Sequence, residues 1–108
     1  MSPRIAALAD QLLLIERELR LLGLWSPQAP AAEALASREP FCVDTLPFEA
    51  WLQWLLLPRM KSLLESGGSL PTASGLLPMA EEVYKGRLGE VRALLAALGE
   101  FDRLIGSA

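Results

Sequence analysis

Apolar residues near both ends of the chain recur at alternating intervals of three and four, and this spacing restricts the possible folds more than any other feature. Because an α-helix has about 3.6 residues per turn, each such series lies along one helical face. The abundance of Leu and Ala over Val and Ile also favours helices over strands. The two series are Ile5, Leu8, Leu12, Ile15, Leu19 and Leu22, and Val91, Leu94, Leu98, Phe101 and Ile105. Each series predicts one long helix.

The first helix is predicted over residues 3–22. Ser2 suits the N-cap and Pro3 the first helical position, while Gly23 suits the left-handed residue that follows a helix. Leu13 and Leu14 widen the apolar face beyond the series, as a bundle helix requires. A face this wide can exceed what a small core buries, so a homodimer is one predicted form of the protein.

Residues 24–46 form a long connection that contains three prolines. About two helical turns are expected over 31–36. We expect Trp25 to fold back onto the helices, because a ring of that size is rarely left in water. A connection of this length in a small domain is typically packed or functional.

The next helix is predicted over 47–66, with Thr45 or Asp44 as its N-cap. Pro58 lies inside the apolar pattern of this helix. Its ring removes a backbone donor and crowds the carbonyl of Trp54, so a kink is predicted there rather than a break into two helices.

A short helix is predicted over 78–86, with Met79 and Val83 facing inward and Tyr84 as a further inward candidate. The final helix is predicted over 89–105. Within it, Gly99 lowers the helix propensity and indicates a close helix contact.

These segments predict one domain over residues 1–108. The fold class is all-α. The expected architecture is a compact antiparallel four-helix bundle with a long Pro-containing loop after the first helix and a Pro-kinked third segment.

The chain contains no histidine and a single cysteine, Cys42. The missing imidazole removes the commonest general base and metal ligand. Cys42 cannot form an internal disulfide, and its expected role is that of a small buried apolar side chain. The net charge of −3 argues mildly against a general nucleic-acid binder. We therefore expect no enzyme activity, no cofactor, no metal and no direct binding to nucleic acid.

The most apolar stretch, over 50–58, is far shorter than the ~20 residues that a membrane-spanning helix needs. We therefore expect no membrane contact and a cytoplasmic location.

Two clusters of charge leave alternatives open. Asp44 and Glu49 could approach one another around a helix start, although a capping role explains both. Arg38, Arg59 and Lys61 could converge near the predicted kink as a small-anion or RNA-backbone site. The simpler interpretation of these three is ordinary solvated charge.

Short elements follow one another in the middle of the chain, namely Pro40-Phe41, Asp44-Thr45, Trp51-Leu52-Gln53-Trp54 and Pro58-Arg59-Met60. Their order and spacing resemble the signature of the YqcC-like family of small bacterial proteins. The resemblance implies a compact, mainly four-helix bundle without an established function. It also implies association with a tRNA pseudouridine synthase or its RNA, because genes of the family often lie beside, or are joined to, the gene of that enzyme. It implies no catalytic residues.

The same stretch contains the candidate binding surface, formed by Asp44, Gln53, Trp54 and Arg59. Pro58 leaves the carbonyl of Trp54 without its helical donor, which gives Arg59 or a bound group a partner. The alternative is that these side chains only hold the loop against the helix.

The predicted function is thus that of a non-enzymatic interaction or accessory protein. Its predicted partner is a tRNA pseudouridine synthase or a second copy of the chain. The alternative is a small-ligand or RNA-backbone binding domain that uses Arg38, Arg59 and Lys61.

Overall fold

The computed structural model describes residues 2–106, and within that range the chain forms helices and turns without any β-strand. The Cα radius of gyration is 13.5 Å, close to the ~13 Å expected of a compact chain of this length. The all-α, compact prediction is confirmed. The elements are α1 (Pro3–Leu21), α2 (Ala32–Leu35), a single 3-10 turn (Pro40–Cys42), α3 (Phe48–Trp51), a π-helical segment (Leu52–Leu56), α4 (Leu57–Ser66), α5 (Leu76–Val83) and α6 (Arg92–Gly106).

Helix α1 packs along α6 and also against α4, while α6 contacts α5. The predicted N-cap is confirmed, since Ser2 Oγ accepts a hydrogen bond from the Ile5 backbone N–H at 3.2 Å. The central residues of both predicted apolar series are buried in one core cluster. The antiparallel four-helix arrangement and the single domain over 1–108 stay predictions.

Arg4 ties the start of α1 to the end of α6. Its Nε donates to the Leu104 carbonyl and its Nη2 to the Ile105 carbonyl, each at 2.8 Å. Carbonyls in the last turn of a helix lack donors within the helix, so a cation at this place satisfies them and interacts favourably with the helix dipole.

Helical residues run without a break from Phe48 to Ser66, which confirms the helix predicted over 47–66 apart from its first residue. The Leu57 backbone N–H donates to the Leu52 carbonyl, one residue further back than in an α-helix. This wider turn directly precedes Pro58, which has no N–H to donate to Trp54. The structure thus has a π turn where the sequence predicts a proline kink.

The predicted N-cap of this helix is wrong. Pro47 occupies the cap position with an extended backbone, and no side chain caps the helix. The Thr45 hydroxyl instead donates to the Ala34 carbonyl at 2.7 Å. Because the helix begins after Pro47, the side chains of Asp44 and Thr45 lie too early in the chain to reach its first turn.

The shorter helices differ in detail from their predictions. Helix α2 has only four residues, and α6 begins three residues later than predicted, at Arg92. Val83 is 41% exposed, so its inward orientation is wrong, whereas Tyr84 is buried and Met79 packs against the core. The close contact predicted at Gly99 is confirmed, since a Cβ there would lie 3.1 Å from Cδ2 of Leu77.

Candidate functional site

The four residues of the predicted binding surface do not form one surface. Gln53 and Trp54 line a hollow of about 340 Å³, whereas Arg59 lines a separate hollow of about 260 Å³. Asp44 lies in the connection before α3, where its carboxylate accepts a hydrogen bond from the Ser37 hydroxyl. We call the two hollows the Trp54 hollow and the Arg59 hollow.

Gln53 holds the loop against the helix, which is the alternative that the sequence left open for the candidate surface. Its side chain is polar and yet buried, with only 5% exposed. The amide oxygen accepts from the Ser26 backbone N–H at 2.8 Å, and the amide nitrogen donates to the Ser26 carbonyl at 2.7 Å. Each end of the amide therefore makes a hydrogen bond to the connecting loop, and burial leaves little of the side chain accessible to a ligand.

The Trp54 hollow has aromatic walls and a charged edge. Trp25 and Trp54 line it together with Glu16 and Lys61. The indole Nε1 of Trp54 is buried and has no hydrogen-bond partner among residues 2–106. Trp25 folds back onto the helices as predicted, with the Arg20 guanidinium 4.4 Å from the centre of its ring.

Glu16 sits between two cations at that edge. Its carboxylate is 3.0 Å from Arg20 Nε and 3.4 Å from Lys61 Nζ. Partial burial alone would raise the pKa of the Glu16 carboxyl, but the hydrogen bonds and charges of Arg20 and Lys61 outweigh it and lower the pKa below its ordinary value. Lys61 is thus engaged with a carboxylate.

The three basic residues predicted to converge are placed apart. Lys61 lines the Trp54 hollow, and Arg59 lines the Arg59 hollow. Arg38 is exposed in the connection before the 3-10 turn. The structure therefore does not bring these three side chains together on one surface.

The Arg59 hollow lies between three parts of the chain. They are the 3-10 turn, the continuous helix (Phe48–Ser66) and the linker that precedes α5 (residues 67–75). Pro40 and Phe41 contribute from the turn, Met60 from α4 and Pro71 from the linker. Phe41 and Cys42 both have left-handed backbones, with φ of 58° and 49°. Such angles are uncommon outside glycine and cost of the order of 1 kcal/mol per residue. They place the Phe41 ring edge-on against Trp51, with 4.9 Å between the ring centres.

Asp44 and Glu49, the carboxylates considered as a pair, each have a different hydrogen-bond partner. Glu49 accepts a hydrogen bond from the Tyr84 hydroxyl at 2.8 Å, while Asp44 is bonded to Ser37. Cys42 is buried, as predicted. Within residues 2–106, no group of three or more Cys, Asp or Glu side chains is arranged to hold a metal ion.

Burial, and then the hydrogen bond to Glu49 and its charge, raise the pKa of Tyr84 well above its ordinary value. Tyr84 is the chain's single tyrosine, so tyrosinate absorbance reports on it alone. We expect little tyrosinate in the folded protein at a pH of about 10.5, where a free tyrosine is mostly ionised. Because the folded-state pKa is the higher one, the contribution of Tyr84 to stability is constant below about pH 10 and is lost as the pH rises further.

Glu49→Gln tests the part of the rise in the pKa of Tyr84 that comes from the charge of Glu49. The variant keeps an acceptor for the hydroxyl but removes the negative charge, so tyrosinate should form at lower pH than in the wild type. Tyr84→Phe gives the background absorbance. An ordinary titration curve for Tyr84 in the folded wild type would contradict the assignment.

The outer side of α1 carries an apolar surface, in agreement with the prediction that the apolar face of this helix exceeds what the core buries. Leu13, Leu14 and Leu21 are 63%, 38% and 68% exposed. Positions 13, 17 and 21 are four residues apart, so Arg17 lies between Leu13 and Leu21 on the same face. We call these four side chains the α1 leucine face. In the sequence, this helix has more leucines than the 3-4 series requires, and the additional leucines predicted a wide apolar face.

Among residues 2–106, no helix combines the length and the apolar character needed to cross a bilayer.

A protein-family model described as tRNA pseudouridine synthase C (DUF446) matches residues 7–104. The chain belongs to this family. An uncharacterised protein of Haemophilus influenzae is 44% identical over 86 residues, which cover 80% of each chain. The protein YqcC of Escherichia coli K12 is 34% identical over 94 residues, covering 87% of this chain and 86% of YqcC. The resemblance to the YqcC-like family is therefore confirmed.

The fold of the YqcC-like family is also seen in solution. The NMR structure of YqcC from E. coli matches this chain with a TM-score of 0.85 at 30% identity, covering 98% of this chain and 91% of YqcC. A different kind of relative is the tRNA pseudouridine synthase C of Pectobacterium carotovorum subsp. carotovorum. It is 44% identical over 73 residues, which cover 68% of this chain but only 19% of the synthase.

Proposed function

We propose that this YqcC-like chain is a non-enzymatic accessory module that docks onto a tRNA pseudouridine synthase. One observation carries the proposal. A segment similar to most of this chain forms about a fifth of the Pectobacterium synthase, since the match covers 19% of that protein. Two units that occur within one polypeptide in one organism are candidates for association when they occur separately.

Two units need a stronger contact when they are separate chains than when one polypeptide joins them. Within one polypeptide, a linker keeps two units at a high effective concentration, so a weak contact is enough to hold them together. The relatives from H. influenzae and E. coli are short chains, of which the match covers 80% and 86%. A unit in that form has no linker and needs an interface of its own. The α1 leucine face supplies exposed apolar side chains for this purpose, with Leu13 and Leu21 each more than half exposed.

The charge at this face favours an acidic partner surface. Arg17 and Arg20 lie beside Leu13 and Leu21 around a shallow depression that Glu16 also lines. Arg20 is paired with Glu16 at 3.0 Å, whereas Arg17 is 67% exposed and only 3.9 Å from Glu18, so Arg17 is the cation more available to a partner. Interfaces of this kind combine apolar anchors with arginine and exclude most other charges from their centre. We infer that the matching surface of the synthase has apolar contacts rimmed by carboxylates.

A non-enzymatic role is supported by the hydrogen bonds of the two carboxylates considered as catalytic candidates and by the burial of the cysteine. Asp44 and Glu49 accept hydrogen bonds from Ser37 and Tyr84, and Cys42 is buried. The proposal includes an antiparallel four-helix arrangement, supported by the packing of α1 against both α6 and α4. It also includes a cytoplasmic location, where transfer RNA is modified.

Replacing both Leu13 and Leu21 with Glu is expected to weaken binding to the organism's own tRNA pseudouridine synthase C by about 100-fold. Each leucine loses an apolar contact of about 1.5 kcal/mol or more, and 1.4 kcal/mol is a factor of ten in Kd. The measurement is titration calorimetry with the purified synthase. Since both side chains are largely exposed, the melting temperature should change little.

Val83→Glu with Leu88→Glu is the matched control. These residues are 41% and 43% exposed, and the pair adds the same two charges at the end of α5 and before α6 instead of on α1. The control should bind as the wild type does. Failure of the wild-type chain to bind the synthase, or a stable homodimer through the α1 leucine face in light scattering, would refute the proposal.

A further inference from the structure

The Arg59 hollow combines apolar walls with a free cation, and neither the fold nor the proposed docking of α1 uses that combination. Its walls come from the 3-10 turn, the continuous helix and the linker. Arg59 is exposed at this hollow, and among residues 2–106 its guanidinium has no hydrogen bond or ion pair. The nearby Lys61, by contrast, is paired with Glu16.

We propose that the Arg59 hollow binds a peptide segment of a protein partner, in which one apolar side chain enters the hollow and an adjacent carboxylate pairs with Arg59. The proposal is independent of the proposed synthase docking, because it concerns different residues and is tested with peptides alone.

The wall of the hollow is preorganised. Phe41 keeps a left-handed backbone with φ of 58°, and surrounding contacts hold it there. Its ring lies 4.9 Å from Trp51 and 6.0 Å from Phe48, centre to centre, in edge-to-face arrangements. The backbone of the turn is fixed by hydrogen bonds from Cys42 N–H to the Glu39 carbonyl and from Leu46 N–H to the Cys42 carbonyl, at 3.0 and 2.8 Å. A wall that is already ordered loses little entropy when a side chain packs against it.

The size of the hollow selects one apolar side chain. Its volume of about 260 Å³ is below the ~300–1,000 Å³ typical of pockets for small-molecule ligands. Recognition of a peptide through a single anchoring side chain is common at protein interfaces. A larger apolar ligand would leave much of its surface in water.

The charge of Arg59 determines which kind of residue stands next to the apolar side chain in the peptide. A guanidinium offers parallel N–H donors that match the two oxygens of a carboxylate. Arg59 belongs to α4, and the apolar side chains of Met60 and Leu63 on the same helix line the hollow beside it. An apolar side chain in the hollow therefore places the adjacent residue of the peptide near Arg59.

The test uses blocked peptides with the centre Glu-Leu-Glu, Lys-Leu-Lys or Glu-Ala-Glu and NMR titration of the full chain. We expect the first peptide to bind with the lowest Kd and to shift the resonances of residues 71–74. The lysine peptide and the alanine peptide should each bind about tenfold more weakly or not at all, because one lacks the carboxylate and the other the anchor.

Three variants locate the site. Arg59→Gln should weaken binding of the Glu-Leu-Glu peptide about tenfold, and Ala73→Phe, which fills the hollow from the exposed linker, should weaken it at least as much. Arg38→Gln is the matched control and should change Kd less than twofold. High salt should weaken binding to the wild type but not to Arg59→Gln.

Several outcomes would overturn the proposal. The peptides could bind equally well, the Arg59→Gln variant could bind as the wild type does, or no peptide could bind at about 1 mM. Binding of free 3-phenylpropionate as tightly as the peptide would assign the hollow to small carboxylates instead. Synthase binding by Arg59→Gln, measured separately, keeps this result distinct from the fate of the docking proposal.

Discussion

Replacing Asp102 with Ala is expected to lower the free energy of unfolding by about 2–4 kcal/mol, corresponding to a fall in melting temperature of roughly 10–20 °C. Asp102 lies on α6, but its carboxylate caps α5. Oδ1 accepts from the Leu76 backbone N–H at 2.9 Å, and Oδ2 accepts from the Leu77 N–H at 2.8 Å. Oδ1 also accepts from the Ser74 hydroxyl.

The effect is large because the variant leaves the first backbone N–H groups of α5 without their acceptor. The first N–H groups of a helix have no acceptor within the helix. No residue of α5's own N-terminus caps it with a side chain, because its N-cap is Gly75. Without Asp102, these partly buried donors lose their only charged acceptor, and α5 loses its attachment to α6.

Thermal and urea unfolding followed by circular dichroism would measure the change. Asp102→Asn keeps one acceptor oxygen and the shape of the side chain, so its loss of stability should be about half as large. Asp10→Ala removes an exposed carboxylate from α1 and should cost less than about 0.5 kcal/mol. If Asp102→Ala and Asp10→Ala have equal melting temperatures, the cap does not contribute to stability.

Gln53→Ala is expected to lower the free energy of unfolding by about 2–3 kcal/mol. The variant removes two short hydrogen bonds from a side chain that is 5% exposed. It leaves the N–H and the carbonyl of Ser26 without partners in a partly buried place, which costs about 1–3 kcal/mol. The 24–46 connection should also loosen, so proteolysis within that range should accelerate.

Gln53→Glu separates the hydrogen bonds from the packing. A carboxylate can accept from the Ser26 N–H but cannot donate to the Ser26 carbonyl. Only the protonated acid can donate, so this variant should be more stable at about pH 4 than at about pH 7, relative to the wild type at each pH. Gln28→Ala, in the same loop and exposed, is the control and should match the wild type. A Gln53→Ala protein as stable as Gln28→Ala would show that the amide does not hold the loop.

Much of the helical structure follows from the sequence. The start of α1 at Pro3, its Ser2 cap and the buried central residues of its apolar series agree with the prediction. These features depend on residues three or four apart, whose interactions any helix of that sequence would have. The π turn before Pro58 has the same local origin, because proline removes one donor wherever it lies in a helix.

The candidate site was predicted less well. The candidate surface in the 40–60 stretch stays a prediction, and the amide of Gln53 bonds to a loop. Arg59 belongs to a different hollow from that of Trp54. The cap assigned to Asp44 or Thr45 was wrong because Pro47 takes that position. The sequence predicted an apolar face on α1 wider than a small core can bury. It did not show which leucines stay exposed, because an apolar residue on a helix is buried only if another element covers it.

The sequence by itself determined which segments are helical, where α1 begins and which residues of α1 and α6 enter the core. Periodicity and capping act between near neighbours, so they can be read along the chain. Only the tertiary structure decided the contacts of Gln53, Asp102 and Arg4, whose partners are 27, 26 and 100 residues away. Such contacts exist only after the helices have packed, since packing alone determines which distant backbone groups each side chain can reach.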